Sequence, residues 1–419
     1  MNLTQARTLG LLLSLSLSLS AASVKRFGAK GDGVTDDTAA IERAIRATRS
    51  GALVFPAGTY KLSSTLTLRS DVTYQGEGAA ILKGDGYFWL MQMPQSTVNL
   101  TIKGLTFDEG GLLLQGQVLG VKIIGNTFQN LTTDNSKGNW TLGNTIFSPD
   151  GVHNATISGN TFRNILINGR TRPDGTGNSI DRSNTAMMFY GIDRTSIDHN
   201  TFDRVGQGIK ICFTNPWPSH DVYIGHNTFQ RVHRMGMEIQ GAMGCGASHP
   251  AIDGPNTYDL TIEYNSLTDW DDAYWWSYPI SLANPAPDGG AGAIVRYNYI
   301  VGGKAEYWDT DGPGGKYGYG IEAASAGLQV YGNTVKGYWG QSIAISGSPN
   351  AQVHDNFVCG AAKGATVSIG PQSAPSPGAS YWKNTIIPHT CPATLPNPLT
   401  NAQPSGAHTP DAPLSSGVR

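Results

Sequence analysis

The hexapeptide Ile157-Ser158-Gly159-Asn160-Thr161-Phe162 recurs along the chain with its asparagine held constant. Ile124-Gly125-Asn126-Thr127-Phe128 precedes it, and Asp198-His199-Asn200-Thr201-Phe202 and Gly225-His226-Asn227-Thr228-Phe229 follow. Looser copies are Tyr264-Asn265-Ser266-Leu267, Tyr297-Asn298-Tyr299-Ile300, Gly332-Asn333-Thr334-Val335, Asp355-Asn356-Phe357-Val358 and Lys383-Asn384-Thr385-Ile386. Many are preceded by a short strand-like piece such as Asp221-Val222-Tyr223-Ile224. The copies recur roughly every 20 to 40 residues, the period of a solenoid or array. A strand–Asn–strand unit cannot bury its apolar side alone, so copies must stack. An asparagine at one fixed place per coil suits a tight bend: it tolerates the left-handed conformation, and its amide can bond to the asparagines of the coils above and below. Unequal spacing then puts the extra residues into loops at set corners. The pattern predicts an all-β, single-stranded parallel β-helix.

The 419 residues carry a formal charge of −2 and hold no basic stripe. Nucleic acid and anionic membranes are therefore not expected partners. Such a length suggests two or three globular domains, but a solenoid grows along one axis, so one domain over residues 23–395 is expected. Residues 1–22 read as a secretory signal, with Arg7 near the start, an apolar core from Leu9 to Leu19, and Ser20-Ala21-Ala22 for cleavage. That core is too short to span a bilayer. The expectation is a soluble, exported protein, extracellular or periplasmic. Residues 396–419, rich in Pro and Ser, read as a disordered tail. Cys212 and Cys245 fall in successive coils, as do Cys359 and Cys391, and export permits both disulfides. No zinc-type spacing is present, and no metal is expected from the residues.

Near the start, Thr35 and Asp36 offer N-caps to a helix whose apolar face is Ala40, Ile41, Ala44 and Ile45. Such a helix would cover the open end of the solenoid. The run Phe27-Gly28-Ala29-Lys30-Gly31-Asp32-Gly33-Val34-Thr35-Asp36-Asp37-Thr38, then Val54-Phe55-Pro56-Ala57-Gly58-Thr59-Tyr60, resembles the first segment of the pectate-lyase-3 or rhamnogalacturonase/epimerase-like superfamily. The resemblance covers residues 24–80 closely and the later repeats in style. It implies a right-handed parallel β-helix acting on polysaccharide, among relatives that are hydrolases, lyases, epimerases and phage tailspikes. Fold alone does not set the reaction.

Many coils carry a second alternating strand, as in Gly236-Met237-Glu238-Ile239-Gln240 and Gly320-Ile321-Glu322-Ala323-Ala324. Alternation points Ile209, Ile211, Met237, Ile239, Ile280, Leu282, Ile321, Ile343 and Ile345 inward. The outward column then reads Met188, Lys210, Glu238, Ser281, Glu322, Ala344. Coils about 4.8 Å apart make Lys210 a neighbour of Glu238 and put the Glu238 and Glu322 backbones roughly 10 Å apart. Carboxyl groups separated by about 6.5–9.5 Å suit an inverting glycosidase. Aromatic-rich, acidic loops flank the column: Trp270-Asp271-Asp272-Ala273-Tyr274-Trp275-Trp276-Ser277-Tyr278 and Glu306-Tyr307-Trp308-Asp309. Aromatic faces stack on sugar C–H surfaces while acids exchange protons.

The expected activity is acid–base hydrolysis of a glycosidic bond in a polysaccharide or oligosaccharide, without a cofactor. The catalytic candidates are Glu238, Asp271, Asp272 and Glu322. The sugar-binding candidates are Lys210, His233, Arg234, Trp275, Trp276, Tyr278 and Trp308. For each there is a plainer alternative: a cross-coil ion pair for Glu238, a turn cap for Asp271 and Asp272, packing for the tryptophans. Against the superfamily's hydrolase pattern, Asp271-Asp272 can stand for its Asp-Asp, but its Gly-His-Gly and Arg-x-Lys are missing. A lyase would use Lys210 as base and carboxylate-held calcium. The superfamily's epimerases carry Asp-Pro-His near a Tyr, from which Tyr190-Gly191-Ile192-Asp193-Arg194 departs, leaving Asp193-Arg194 as a local turn pair. A non-catalytic carbohydrate-binding solenoid would need the aromatics but not paired glutamates.

Overall fold

One asparagine per coil, at the same corner from Asn126 to Asn384, sets the rise of the molecule. The computed structural model describes residues 21–133, 139–166, 184–212, 219–240, 257–270, 278–283, 292–302, 319–337, 341–360, 366–372, 374–388 and 390–401. Within them each side-chain amide of Asn126, Asn160, Asn200, Asn227, Asn265, Asn298, Asn333 and Asn356 donates to the carboxamide oxygen of the next at 2.9–3.1 Å. The same oxygen accepts the backbone N–H of the asparagine before it, for example Asn200 N to Asn227 Oδ1 at 2.9 Å. The steps between successive rungs run from 23 to 40 residues, so coil length varies while the corner repeats. The left-handed residue is not the asparagine but the one preceding it in most coils: His199, His226, Tyr264, Tyr297, Asp355 and Lys383 have φ between 52° and 56°. The asparagine keeps an ordinary conformation because its amide, rather than its backbone, makes the corner.

Three long sheets, all parallel, wind from these corners into a right-handed β-helix. The first runs from Ala22–Ser23 to Ser380–Trp382, the second from Asp32–Asp36 to Thr385–Ile387, and the third from Leu66–Thr67 to Thr366–Pro371. A short fourth sheet pairs Val118–Leu119, Val152–His153 and Ile192–Asp193. Alternation along the strands sends one set of side chains into a continuous core. All nine inward positions expected on the third sheet, from Ile209 to Ile345, are buried there. On the second sheet Phe107, Phe128, Phe162, Phe202 and Phe229 stack with centroids 4.4–5.0 Å apart. A one-residue slip would turn every such residue to solvent, so the ladders also fix register.

The expected capping helix is present as Thr38–Ala47, burying Ala40, Ile41, Ala44 and Ile45. Its N-cap is Asp37, not Thr35 or Asp36. The Asp37 carboxylate is engaged elsewhere, accepting the N–H groups of Lys30 and Gly31. Asp36 instead accepts from Thr38 N at 3.0 Å and supplies the side-chain bond at the helix start. The boundary at residue 22 falls inside the first strand, where Ala22 and Ser23 pair with Leu53 and Val54. Residues 1–20 lie outside the described residues.

At the other end Cys359 and Cys391 form the expected disulfide, with Cα atoms 5.3 Å apart. Cys212 is also disulfide-bonded, while Cys245 lies outside the described residues. Of the tail, Pro398–Asn401 forms a 3₁₀ turn and the Pro396 carbonyl accepts from Thr334 Oγ1 at 2.7 Å. Residues 402–419 lie outside the described residues.

Candidate active site

The outward face of the third sheet changes character along the axis. Trp89, Phe147, Met188, Tyr190 and Cys212 form a buried apolar cluster outside the main core, joined by Leu113 and Leu142. Beyond it the expected column is in register, Met188 to Lys210, Lys210 to Glu238, Glu238 to Ser281, Ser281 to Glu322 and Glu322 to Ala344. Charge is thus confined to the coils from Lys210 to Glu322, with Met188 closing one side and Ala344 the other.

Glu238 is 2% exposed and its carboxylate is enclosed by donors. Lys210 Nζ lies 3.3 Å from Oε2, and Arg234 Nη2 lies 3.7 Å from Oε1. Gln240 Nε2 donates to Oε1 at 2.6 Å and Gln207 Nε2 donates to Oε2. Burial penalises the anion most strongly, but the Arg234 and Lys210 cations and the Gln207 bond outweigh it. The carboxyl is held below the usual glutamate range.

Glu322 faces the opposite balance. Burial pushes its carboxyl above the usual range, the Ser281 hydroxyl at 2.7 Å pulls back in part, and the Glu238 anion adds to the rise. Two carboxyls on one face, with environments that drive them apart, divide naturally into an anion and a proton carrier. Tyr278, 4% exposed, stands beside them with its hydroxyl pushed up by burial and by the Glu322 charge. Its ring lies 5.5 Å from that of Tyr319.

Of the residues singled out from sequence, Lys210, Arg234, Glu238, Tyr278 and Glu322 come together here. His233 is half-buried at the approach to the Glu238 strand, its N–H bonded to the Val205 carbonyl. Asp271, Asp272, Trp275, Trp276 and Trp308 lie outside the described residues. Gln207, Gln240 and Tyr319 were not singled out. Gln240 sits two residues after Glu238 and so on the same face. Gln207 and Tyr319 each precede a column residue by three, as Tyr278 does. That recurrence is the signal that could have found them.

Asp193 is more than the local turn pair expected. Arg194 Nε donates to its Oδ2 at 2.8 Å, but His153 Nδ1 also bonds Oδ1 and His220 Nε2 lies 3.6 Å from Oδ2. His153 and Asp193 are register partners on the fourth sheet, forty residues apart in sequence. Asp193 is 4% exposed; burial opposes its charge, yet the His153 and Arg194 contacts hold it below the usual aspartate range. The nearby Tyr190 is packed edge-on against Phe147, and burial raises its hydroxyl rather than activating it. Among the described residues no group of three or more His, Cys, Asp or Glu is placed to hold a metal ion.

Residues 21–245, more than half of the chain, match the family model described as rhamnogalacturonase A/epimerase, pectate lyase-like. A capsule K30/K69-specific depolymerase of Klebsiella phage K5-2 is 31% identical over 206 residues, 45% of this chain and 24% of that protein. The plasmin and fibronectin-binding protein A of Streptococcus pneumoniae is 32% identical over 162 residues, 34% of this chain and 21% of that protein. The chain therefore covers a quarter or less of the length of these curated relatives. Among solved structures, the A-module of an Azotobacter vinelandii mannuronan C-5 epimerase superposes with a TM-score of 0.57 at 16% identity. That superposition covers 88% of this chain and 96% of the module, and at this identity it speaks to the fold.

Proposed function

The chain belongs to the rhamnogalacturonase A/epimerase, pectate lyase-like family, and from that premise and the site geometry we propose that it cleaves glycosidic bonds in an extracellular polysaccharide by acid–base hydrolysis. The observation that carries this reading is the pair Glu238 and Glu322, two coils apart on one face with opposite displacements of their proton affinities. Glu322 is the general acid that protonates the departing glycosidic oxygen. Glu238 is the permanent anion that raises the proton affinity of Glu322 and so keeps that acid protonated. Four donors around Glu238 keep it ionised and fixed in orientation. Asp271 or Asp272, in the segment leading to the Ser281 strand, supplies the base that activates water. Trp275, Trp276 and Trp308 bind the sugar chain, while Tyr278 is buried beside the two glutamates. The depolymerase among the relatives fits a polysaccharide-cleaving role.

The test is a screen of purified protein against neutral and uronic-acid polysaccharides, reading reducing ends and near-ultraviolet absorbance together. Hydrolysis raises reducing ends alone, and Glu322→Gln slows the rise by about 10²–10⁴-fold. Full activity in Glu238→Gln, Asp272→Asn and Glu322→Gln alike would sink the reading.

A second reading, proton abstraction from a uronic acid residue with elimination or epimerisation, is favoured by one observation. The Asp193–His153–His220 group, with its aspartate buried and His220 partly exposed, is a ready proton-handling cluster, and curated mannuronan C5-epimerases of Azotobacter vinelandii are 44–46% identical over 66 residues. It is told apart by an unsaturated product, or by uronate inversion without chain cleavage, lost in Asp193→Asn but kept in Glu322→Gln.

A further inference from the structure

Three to five coils before the Glu238 strand, strands of the third sheet lead into a cleft of a different chemistry. Gln95 follows the strand Met91–Met93, Gln115 and Gln117 follow Leu112–Leu114, and Asp150 follows Asn144–Ser148. These three strands are successive in the sheet. With Gly116 they line, among the described residues, a cleft of about 390 Å³, within the range of small-molecule sites. Its floor is Gly116, whose φ is +73° and whose added Cβ would come within 2.6 Å of Gln95 Cα. Only glycine lets these two turns approach so closely. Gly116 N donates to Asp150 Oδ2 at 2.7 Å, which ties the turn of one coil to that of the next. The three glutamine amides are exposed at the rim and have no hydrogen bond to other described residues. No lysine or arginine is among the described lining residues.

We infer that this cleft is a distal glycan subsite for an uncharged sugar residue of the polysaccharide, an inference that rests on the polysaccharide-cleaving reading above. A carboxamide presents a donor and an acceptor side by side, matching the acceptor and donor of two adjacent ring hydroxyls. Three carboxamides and one carboxylate around a concave floor therefore suit a polyol. The carboxylate and the absence of a described cation disfavour a uronate there. The coil of Asp150 and that of Glu238 are three steps apart, about 14 Å along the axis. Met188, Tyr190 and Cys212 of the buried apolar cluster stand on the two coils between them, so the cleft is separate from the charged column. A long polymer can engage both and gains by the second, effectively intramolecular, contact.

The experiment is electrophoresis through native gels containing a soluble β-glucan, a galactomannan or polygalacturonate, with turnover of each polymer measured in parallel. The variants are Gln95→Ala/Gln117→Ala, whose exposed side chains can be removed while the Asp150–Gly116 bond stays, and Glu322→Gln. Circular dichroism confirms their folding. The wild type and Glu322→Gln should be retarded by at least one neutral polymer, and the double variant should bind it about tenfold more weakly. Equal retardation of double variant and wild type would overturn the inference. So would a wild type retarded by no neutral polymer, or cleft-dependent retardation confined to polygalacturonate. Cleft-dependent retardation without any turnover would leave a glycan site standing and remove the catalytic reading, so the two fail separately.

Discussion

Asn227→Ala should be among the most damaging single changes of a polar residue in the scaffold. Asn227 is 1% exposed. Its amide donates to the Ile197 carbonyl at 2.9 Å and to Asn265 Oδ1 at 3.0 Å, and its oxygen accepts from Asn200 N at 2.9 Å and Asn200 Nδ2 at 3.0 Å. Alanine removes all four bonds. Two of the partners retain other contacts: Asn265 Oδ1 keeps the Asn227 N–H, and the Asn200 amide keeps the Ile157 carbonyl. The Asn200 N–H loses this acceptor in a buried corner, at about 1–3 kcal/mol, and the other lost bonds add about 1 kcal/mol or more. The total, roughly 2–5 kcal/mol, is a large part of the roughly 5–15 kcal/mol that holds a folded protein together. Stacked coils can lose two-state behaviour, so the loss is read both as a urea midpoint and as hydrogen exchange at the amides of the neighbouring coils. Gln352→Ala, exposed on the first sheet, is the control and should stay within about 0.5 kcal/mol of wild type. If Asn227→Ala were as mild as this control, the ladder would not be what holds the corner, and the argument would fail.

Two further predictions concern pH. Under the proposed mechanism activity needs Glu238 ionised and Glu322 protonated, so it should rise as pH climbs through a range below ordinary glutamate and fall through a range above it. Glu322→Gln should remove the falling limb and lower kcat by about 10²–10⁴-fold, measured as a pH–rate profile. For stability, the folded-state affinity of Asp193 for its proton is depressed. Its contribution is therefore present above the ordinary aspartate range and is lost as pH drops through the lower, folded-state value. Thermal unfolding followed from neutral to acid pH should show a shallower acid loss for Asp193→Asn than for wild type.

The parallel β-helix, its core positions and the register of the charged column were all legible in the sequence, because two local rules suffice. Alternation assigns inside and outside, and a fixed asparagine marks where each coil turns. The same rules explain the misplacements. An asparagine in a tight bend suggests a left-handed backbone, but nothing local distinguishes that from an amide bonded to the next coil, which moves the strained φ to residues such as His226 and Tyr264. Asp193 looked like half of a turn pair with Arg194, since its other partner, His153, is remote in sequence and adjacent only once the coils stack. Gln207 and Gln240 were passed over because a glutamine carries no charge of its own. Their importance comes from the buried anion they surround.

The asparagine ladder also acts as a ruler for the chemistry. Its amide bonds repeat at the same length whether a coil holds 23 residues or 40. The gap between Glu238 and Glu322 is therefore counted in whole coils and takes only discrete values, about 4.8 Å apart. Lengthening the loop before the Ser281 strand leaves that gap untouched. Deleting one entire coil would close it by a full step, and inserting one would open it by the same amount. In a molecule built this way, the spacing of side chains on one face changes by whole steps.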